Sequence, residues 1–577
     1  MAVMLILFLQ PLPAQSVNAP PENMPSFAGK YNKTILGPDV FVFSPEMNMR
    51  EVQALLDTIA GNQTKHGNEF SKNRYAIIFK PGHYKLDIRV GYYMQVFGMG
   101  PSPDDVVIEG AVRSKSAYNG MVLTNFWRAA ENLSVIPTVE KANVWGVSQA
   151  APMRRVHIMG DLQLHDGGYA SGGFLSDSKV DGTIIAGPQQ QWLTRNSEFN
   201  EWTGGAWNIM FLGVANSPEE NWPQKPYTRI EKTPLVREKP FLIEEGGKIM
   251  VVIPALKTNS SGPDWQGDVK EGKKIPVEDF YLVKPGADDA QTINAALQKG
   301  KDLLITPGIY QLTESLRITK PGTIIIGLGM PSLEPVNGNM VLEVADVDGI
   351  TLSGLLIDAG LKHSKTLLQM GDPESDKDHA NNPSFLFDLF FRVGGPHEGY
   401  ATSCITMNSN NVYMDHIWLW RADHGNGAGW ETNPCANGII VNGNDVTAYG
   451  LFNEHFQEYQ LLWNGENGKV YFYQCEMPYD PPTVESYRHD DKNGYASYKV
   501  ADHVTNHEAW CVGIYCVFRH APIVVDAAIE TPPALENQIH RKFTFFLGGG
   551  FKNSKISSVI NGKGPVADET NVKAAMD

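Results

Sequence analysis

The chain carries one series of motifs twice, far apart. In the first copy a short helical pattern, MREVQALLDTIA, leads to AIIFKPGHYKL and then to YYMQVFGMGPSP; in the second, DAQTINAALQKG leads to DLLITPGIYQL and then to GTIIIGLGMPSLEP. Pro81 thereby corresponds to Pro307. Each copy offers a cap-like helix, a β-branched run, a Pro-Gly turn before an aromatic residue, and a second apolar strand that ends in glycines. A stack of β-coils starts in this way: the helix covers the open end of the apolar pile, and each later coil buries its inner face on the one before. A chain of 577 residues exceeds one ordinary core, and its 55 Gly and 37 Pro favour turns over long helices. The expectation is an all-β protein of two tandem, right-handed, single-stranded parallel β-helices joined in one elongated two-domain unit.

Beyond each cap, short apolar runs recur at coil-like intervals. They include MRRVHI, GGFLSDSKV and QQWLTRNSEF in the first half, and GITLSGLLID, NNVYMDHIWLW, NDVTAYGLFNEH and GKVYFYQCEMP in the second. Val446 and Val470 are 24 positions apart and Val412 and Val446 are 34 apart, the excess falling in the glycine-rich insertion HGNGAGWETNPCANG. Long loops on one edge of such a stack line a binding face. Residues 1–16, MAVMLILFLQPLPAQS, resemble the apolar core and cleavage site of a signal peptide without its basic start, so a secreted or periplasmic protein is expected. The first β-helix and its linker are placed at 17–275 and the second at 276–577, with the terminal DETNVKAAMD expected to be helical or frayed.

The formal charge of −16 disfavours polyanions, so neither nucleic acid nor a uronate chain is an expected partner. A neutral polysaccharide or oligosaccharide meets no such repulsion, and 12 Trp, 21 Tyr and 25 Phe can supply flat faces for it. No segment after the N-terminus has 18 uninterrupted apolar residues, so no membrane span is expected, and a monomer is favoured. Cys404, Cys435, Cys475, Cys511 and Cys516 are odd in number and lack paired CxxC spacing, which leaves at most one or two optional disulfides. Without HExxH or EF-hand spacing, no metal or cofactor is expected.

Two glutamates carry the chemistry. Glu454 in YGLFNEH and Glu476 in YQCEMPYD stand at even offsets from the strand-opening Val446 and Val470, as Trp420 does from Val412, which assigns all three to one face. In that register the glutamates lie one strand apart and two residues along, about 8 Å diagonally. Carboxyls roughly 6.5 to 9.5 Å apart leave room for a water, the geometry of inverting glycoside hydrolysis. Glu476 has the weakly polar neighbours Phe472, Cys475, Met477, Pro478 and Tyr479, which suit a protonated acid better than the Asn453 and His455 beside Glu454. Asp423 and His424 can hydrogen-bond sugar hydroxyls beside Trp420. In the first half Gln149, Ser171, Ser176 and the run Gln189 to Gln191 can position water or sugar, Gln190 being the chosen contact. None of them is a strong base, and no GxSxG nucleophile is present.

At these segments the sequence resembles glycoside hydrolase family 55, β-1,3-glucanases built from tandem pectate-lyase-like β-helices. The resemblance spans both PGxY openings, VWGVSQA, SGGFLSD with its Gln-rich rung, WLWRADH, YGLFNEH and EMPYDPP. It implies Glu476 as general acid, Glu454 as a second essential carboxylate, and Gln149 with Ser171 as holders of the attacking water. It also implies Trp420 and Tyr479 at the border of a terminal-sugar pocket and Asp423 as a polar contact nearby. The activity implied is metal-independent, inverting and mostly exo-acting, releasing glucose from laminarin-like chains. CEMPYDPP departs from the TETPY pattern of many members, and the insertion after Asp423 can reshape the pocket. The alternatives are a hydrolase of another neutral polysaccharide, a polysaccharide lyase, and a non-catalytic carbohydrate-binding β-helix protein.

Overall fold

The computed structural model describes residues 24–266 and 272–577. The apolar run at 1–16 lies outside them. The protein is an all-β parallel β-helix. One parallel ladder runs through Val40–Phe43, Tyr75–Phe79, Met94–Gly98, Arg128–Pro137, Pro152–Ile158, Phe174–Ser176, Gln191–Arg195, Asn208–Leu212 and Tyr227–Ile230. A second starts at Tyr281–Val283 and runs through ten parallel strands to Ile539–Phe546, beside an eight-stranded sheet built from the same coils. Between the ladders the chain forms small antiparallel sheets, Phe241–Glu245 with Lys248–Ile253 and Lys273–Pro276, and Thr233–Val236 with Lys257–Ser260.

The duplicated motifs start both ladders. The helices Met49–Gln63 and Ala290–Gln298 are N-capped by Asn48 and Asp289, whose side chains accept from Arg50 N and Thr292 N. They bury Val52, Leu55, Leu56 and Ile59 in one coil interior, and Ile293, Ala296 and Leu297 in the other. The aromatic after each Pro-Gly turn does the same work twice. Tyr84 Oη donates to the carbonyls of Phe43 (3.2 Å) and Lys80 (2.7 Å), and Tyr310 Oη to those of Val283 (3.0 Å) and Thr306 (2.9 Å). Each hydroxyl thus ties a turn to the end of the preceding coil.

Every long strand of the second ladder bends once. At the bend sits a residue with left-handed backbone: Gly354, Asp388, His416, Gly450, Phe472, Cys511 and Arg541, with φ between +48° and +78°. Pairing skips these residues and resumes beyond them, so they stack in a column that turns the sheet onto a second face. Only two of the seven are glycine; the other five meet the penalty of positive φ in a side-chain-bearing residue, set against the packing of the whole column.

The two ladders face each other across a shared aromatic layer that includes Tyr93, Phe126, Trp127, Phe174, Trp418, Trp420 and Phe452. Beside it runs a buried ionic network. Arg154 forks onto Asp388 (2.8 and 2.8 Å) and reaches Asp415 (3.1 Å); Arg195 bonds Asp415 (2.7 Å) and forks onto Glu238. Lys239 closes it, 2.7 Å from Glu131 and 2.9 Å from Asp388.

The C-terminus corrects one expectation: Lys573–Met576 is neither helical nor frayed but pairs antiparallel with Ile539–Phe546 and covers that edge. The optional disulfides are absent too, all five cysteines being buried free thiols. Among the described residues no helix is long and apolar enough to cross a membrane.

Removing one partner from a buried ion network strands the rest. Arg154→Gln is expected to lower unfolding free energy by about 3–5 kcal/mol in a denaturant titration. A second effect concerns His379, whose Nδ1 and Nε2 lie 2.6 Å from Asp348 and 2.8 Å from Asp346. Burial opposes its charge, but the two aspartates hold its proton above the ordinary histidine range. Its contribution is therefore complete below about pH 6.5 and is lost as pH rises through the raised folded value. His379→Gln should lower the melting temperature at pH 6 and leave it nearly unchanged at pH 9.

Candidate active site

Four residues beyond the bend, each coil contributes to one row: Asp358, Arg392, Trp420, Glu454, Glu476 and Tyr515 are successive partners across the strands. Glu454 and Glu476 are therefore directly opposite each other, with Cα atoms about 4.8 Å apart as in any parallel pair. This corrects the diagonal spacing of about 8 Å. Val470 pairs with Ala448, not with Val446, so counting from the valines misplaces the register by two residues.

The two carboxyls have different surroundings. Glu454 is 3% exposed and accepts from Gln149 Nε2 (2.7 Å) and Gln474 Nε2 (2.8 Å) on Oε1, and from Trp418 Nε1 (2.9 Å) on Oε2. Gln149 comes from the other ladder. Burial and then the charge of Glu476 push Glu454 well above the usual carboxylate range, against the stabilising bonds of Gln474 and Trp418. Glu476 is more open, its side chain 19% exposed, and accepts from the Tyr479 hydroxyl. Burial raises it as well, opposed by His455 and by the Tyr479 bond, while Asp423 adds to the rise.

A third carboxylate stays ionised. Asp423 is opposed by burial, yet His424 at 2.8 Å, with His455 and Arg519 behind it, holds it below the carboxylate range. His455 Nε2 stands 3.9 Å from Glu476 and 4.0 Å from Asp423, and the His455 ring lies 4.4 Å from that of Tyr479. Arg519 lies over the Tyr479 ring, 4.5 Å from its centre. Arg421, fully buried, binds the loops together: it forks onto Asp480 (2.9 and 2.8 Å) and donates to the carbonyls of His455, Gly429 and Asn433.

From the first ladder, the loop Ser171, Gly172 and Gly173 abuts Gln149. A Cβ on Gly172, where φ is +93°, would stand 3.1 Å from Gln149 Cγ, and one on Gly173 would meet the Trp192 ring at 2.0 Å. Only glycine lets the loop approach this closely. Ser171 Oγ accepts from Gln191 Nε2 at 3.3 Å.

The structure thus gathers Glu476, Glu454, Gln149, Tyr479, Asp423 and His424, with Ser171 behind Gln149. Two expected contacts, Ser176 and Trp420, act otherwise. Ser176 is fully buried and bonds Arg154 (3.1 Å), so it belongs to the ionic network and touches no sugar. Gln190 is tied through its main chain to Ala170 and Asn208, and Gln191 is the residue that reaches Ser171. Trp420 is 2% exposed with Phe70 and Trp418 stacked against it, so it supports the wall and offers no free stacking face. Gln474, Trp418, His455 and Arg421 were not singled out from sequence, although each adjoins a chosen motif. Among the described residues no group of three or more His, Cys, Asp or Glu is arranged to hold a metal ion.

The family model of the LAM55 pectate lyase-like domain matches residues 280–476, which end at Glu476. An exo-beta-1,3-glucanase of Streptomyces sp. (strain SirexAA-E / ActE) is 44% identical over 543 residues, 93% of this chain and 88% of the relative. The chain belongs to glycoside hydrolase family 55. Its similarity to the family extends to the folded chain. The structure of sacteLam55A from Streptomyces sp. SirexAA-E superposes with a TM-score of 0.90 at 43% identity, covering 94% of this chain and 98% of that one. A glutamate-to-alanine variant of sacteLam55A in complex with glucose gives 0.91 at 42% identity, with 95% and 98% covered.

The electrostatics of the glutamate pair can be checked directly. In Glu476→Gln the neighbouring charge is gone, so Glu454 should titrate at lower pH than in the parent while burial still keeps it above an ordinary carboxylate. Carbon NMR of labelled glutamate carboxyls measures this.

Proposed function

We propose that this family 55 protein is an exo-acting, inverting β-1,3-glucanase with Glu476 as its general acid. The observation that carries this reading is the difference between the two paired carboxyls. Burial raises both, but Glu476 is partly open and free to give its proton, whereas Glu454 is enclosed by three N–H donors. A carboxylate held on both oxygens in a 3% exposed position is poorly placed to attack an anomeric carbon. Water is then the nucleophile, which supports inversion independently of the distance between the glutamates.

Gln149 spends its amide N–H on Glu454, which leaves its carbonyl oxygen to accept from that water, and the Ser171 hydroxyl on the adjoining loop is free to donate. Glu454 fixes Gln149 and, through it, the water. Tyr479 steadies the Glu476 carboxyl and borders the sugar with Asp423 and His424. The exo-acting glucanase relative and the glucose complex of sacteLam55A support glucan as the substrate and glucose as a product. Membership in this family sets aside the lyase reading, and the presence of both carboxyls disfavours a purely binding protein.

The architecture goes with this chemistry. The two ladders are read as tandem right-handed β-helices, 17–275 and 276–577, with the reacting groups between them, acting as a monomer. The N-terminal 16 residues fit secretion or export to the periplasm, where a polymeric glucan is accessible.

Glu476→Gln should lower hydrolysis of laminarin by roughly 10²–10⁴-fold, the range of general acid catalysis, with binding retained. Proton NMR of the parent reaction should show α-glucose first. Undiminished turnover in the variant would refute Glu476 as the acid, and β-glucose appearing first would refute inversion.

A further inference from the structure

Beyond Glu476 the wall opens. Trp420 and Glu454, the residues before it in the row, are closed in, whereas the loops of the next two coils carry side chains into the open. These loops, 517–523 and 547–554, stack on the loop after Glu476 through main-chain bonds. Arg519 N donates to the Tyr479 carbonyl (2.8 Å), and Phe551 N donates to the carbonyl of Phe518, the residue before Arg519 (2.6 Å). Because the Tyr479 hydroxyl donates to the Glu476 carboxyl, Glu476, Tyr479, Arg519 and Phe551 stand in one connected series. Two strand spacings, about 10 Å, separate the first of the three loops from the last.

Arg519 differs from the other arginines around the site. Arg154, Arg195 and Arg421 are buried and grip carboxylates, whereas Arg519 is exposed and, among the described residues, its guanidinium makes no hydrogen bond or ion pair. It is nevertheless held in place: its Cζ lies 4.5 Å from the Tyr479 ring centre, a cation–π contact that sets the planar fork beside the partner of Glu476 with its N–H donors uncommitted. Phe551 is 46% exposed, yet its loop is fixed at both ends, Leu547 N bonding the Cys516 carbonyl (2.8 Å) and Lys555 N that of Ile523 (3.0 Å). Gly550 lets the loop lie close, because a Cβ there would stand 2.9 Å from the Phe518 carbonyl oxygen. An apolar ring held in water and a fork of unused donors, on neighbouring coils, match a glucosyl chain, whose units offer C–H faces and hydroxyl oxygens.

The chemistry sets the direction of this series. In inversion the attacking water and the leaving oxygen lie on opposite faces of the sugar. With Gln149 and Ser171 on the water side, the rest of the chain departs on the side of Glu476, toward Tyr479 and Arg519. We propose that Arg519 and Phe551 carry the leaving part of the glucan: Arg519 donates to hydroxyls of the unit next to the cleaved bond, and Phe551 stacks on a unit farther out. This track rests on the reading of Glu476 as the acid of a glucan hydrolase. It assigns chain-length preference to the last coils of the second ladder, since a disaccharide reaches Arg519 and ends before Phe551.

The test follows glucose release from β-1,3-linked glucobiose, glucotriose and glucopentaose by the full chain. Phe551→Ser should lower kcat/KM about 10-fold on the pentasaccharide, through KM, and no more than about two-fold on the disaccharide, so that the gain with chain length flattens. Arg519→Gln should lower kcat/KM about 10-fold on all three, and Arg519→Lys should recover little of it, because an ammonium lacks the fork. Glucose, which fills the terminal pocket alone, should inhibit each variant as it does the parent, and the melting temperatures should match. No loss in Phe551→Ser, or equal loss on the shortest and longest chains, overturns the role of Phe551. Full recovery in Arg519→Lys overturns the hydroxyl contact, showing that only the charge beside Tyr479 matters. Weaker inhibition by glucose together with lowered melting temperatures also overturns the track, showing a structural role. If the parent releases glucose from none of the three, the glucan reading falls and the track with it; if it does and the variants keep its chain-length profile, only the track falls.

Discussion

Arg154 reaches out of one ladder and grips Asp388 and Asp415 in the other, and Arg195 with Glu238 and Lys239 with Glu131 complete the lock. Such buried ions add little net stability over well-packed apolar groups, because desolvation offsets much of their attraction. Their value is directional. An aromatic layer alone tolerates sliding, whereas a forked guanidinium–carboxylate pair holds only in one register. That register brings Gln149 to within 2.7 Å of Glu454 across the interface. A shift of one coil would leave Glu454 short of a donor and the site without its first-ladder wall.

The bend column converts this arrangement into chemistry. Because every coil turns at the same position, the residues four places later rise in one row, and a row can change character step by step. It starts with the bonded pair of Asp358 and Arg392, passes the enclosed Trp420 and Glu454, and opens at Glu476. Adjacent carboxyls in a low-dielectric place cannot both ionise cheaply. Burial first, and at Glu454 the charge of Glu476 next, hold protons on this pair to higher pH than on an ordinary carboxylate.

Around that pair the protein places charge selectively. Asp423 is kept ionised by His424, His455 and Arg519, while Glu476, little farther along the same wall, is kept high. Two carboxyls in one site thus have opposite habits: at Asp423 the nearby cations, His424 above all, outweigh burial, whereas at Glu476 burial, helped by Asp423, outweighs His455, the Tyr479 hydrogen bond and Arg519. Arg421 fixes the loops that carry these groups, including the insertion after Asp423, to a single buried guanidinium.

Sequence by itself determined the coil starts, the cap helices and the all-β character, and singled out the glutamate proposed as the acid, since these follow from local signals: Pro-Gly-aromatic turns, apolar alternation and a glutamate among weakly polar neighbours. It also pointed to Gln149, in a motif shared with the family. Tertiary structure alone decided the register of Glu454 against Glu476, because the bend is carried by residues as different as Gly450 and Phe472 and leaves no common mark in the sequence. It alone assigned Ser176 to the ionic network, buried the faces of Trp420 and brought the Gln191 side chain to Ser171. These outcomes depend on which surfaces of two separately coiled segments meet. Periodicity along one chain specifies how a coil packs on its own neighbours; contacts between two stacks are set by three-dimensional fit, which no spacing encodes.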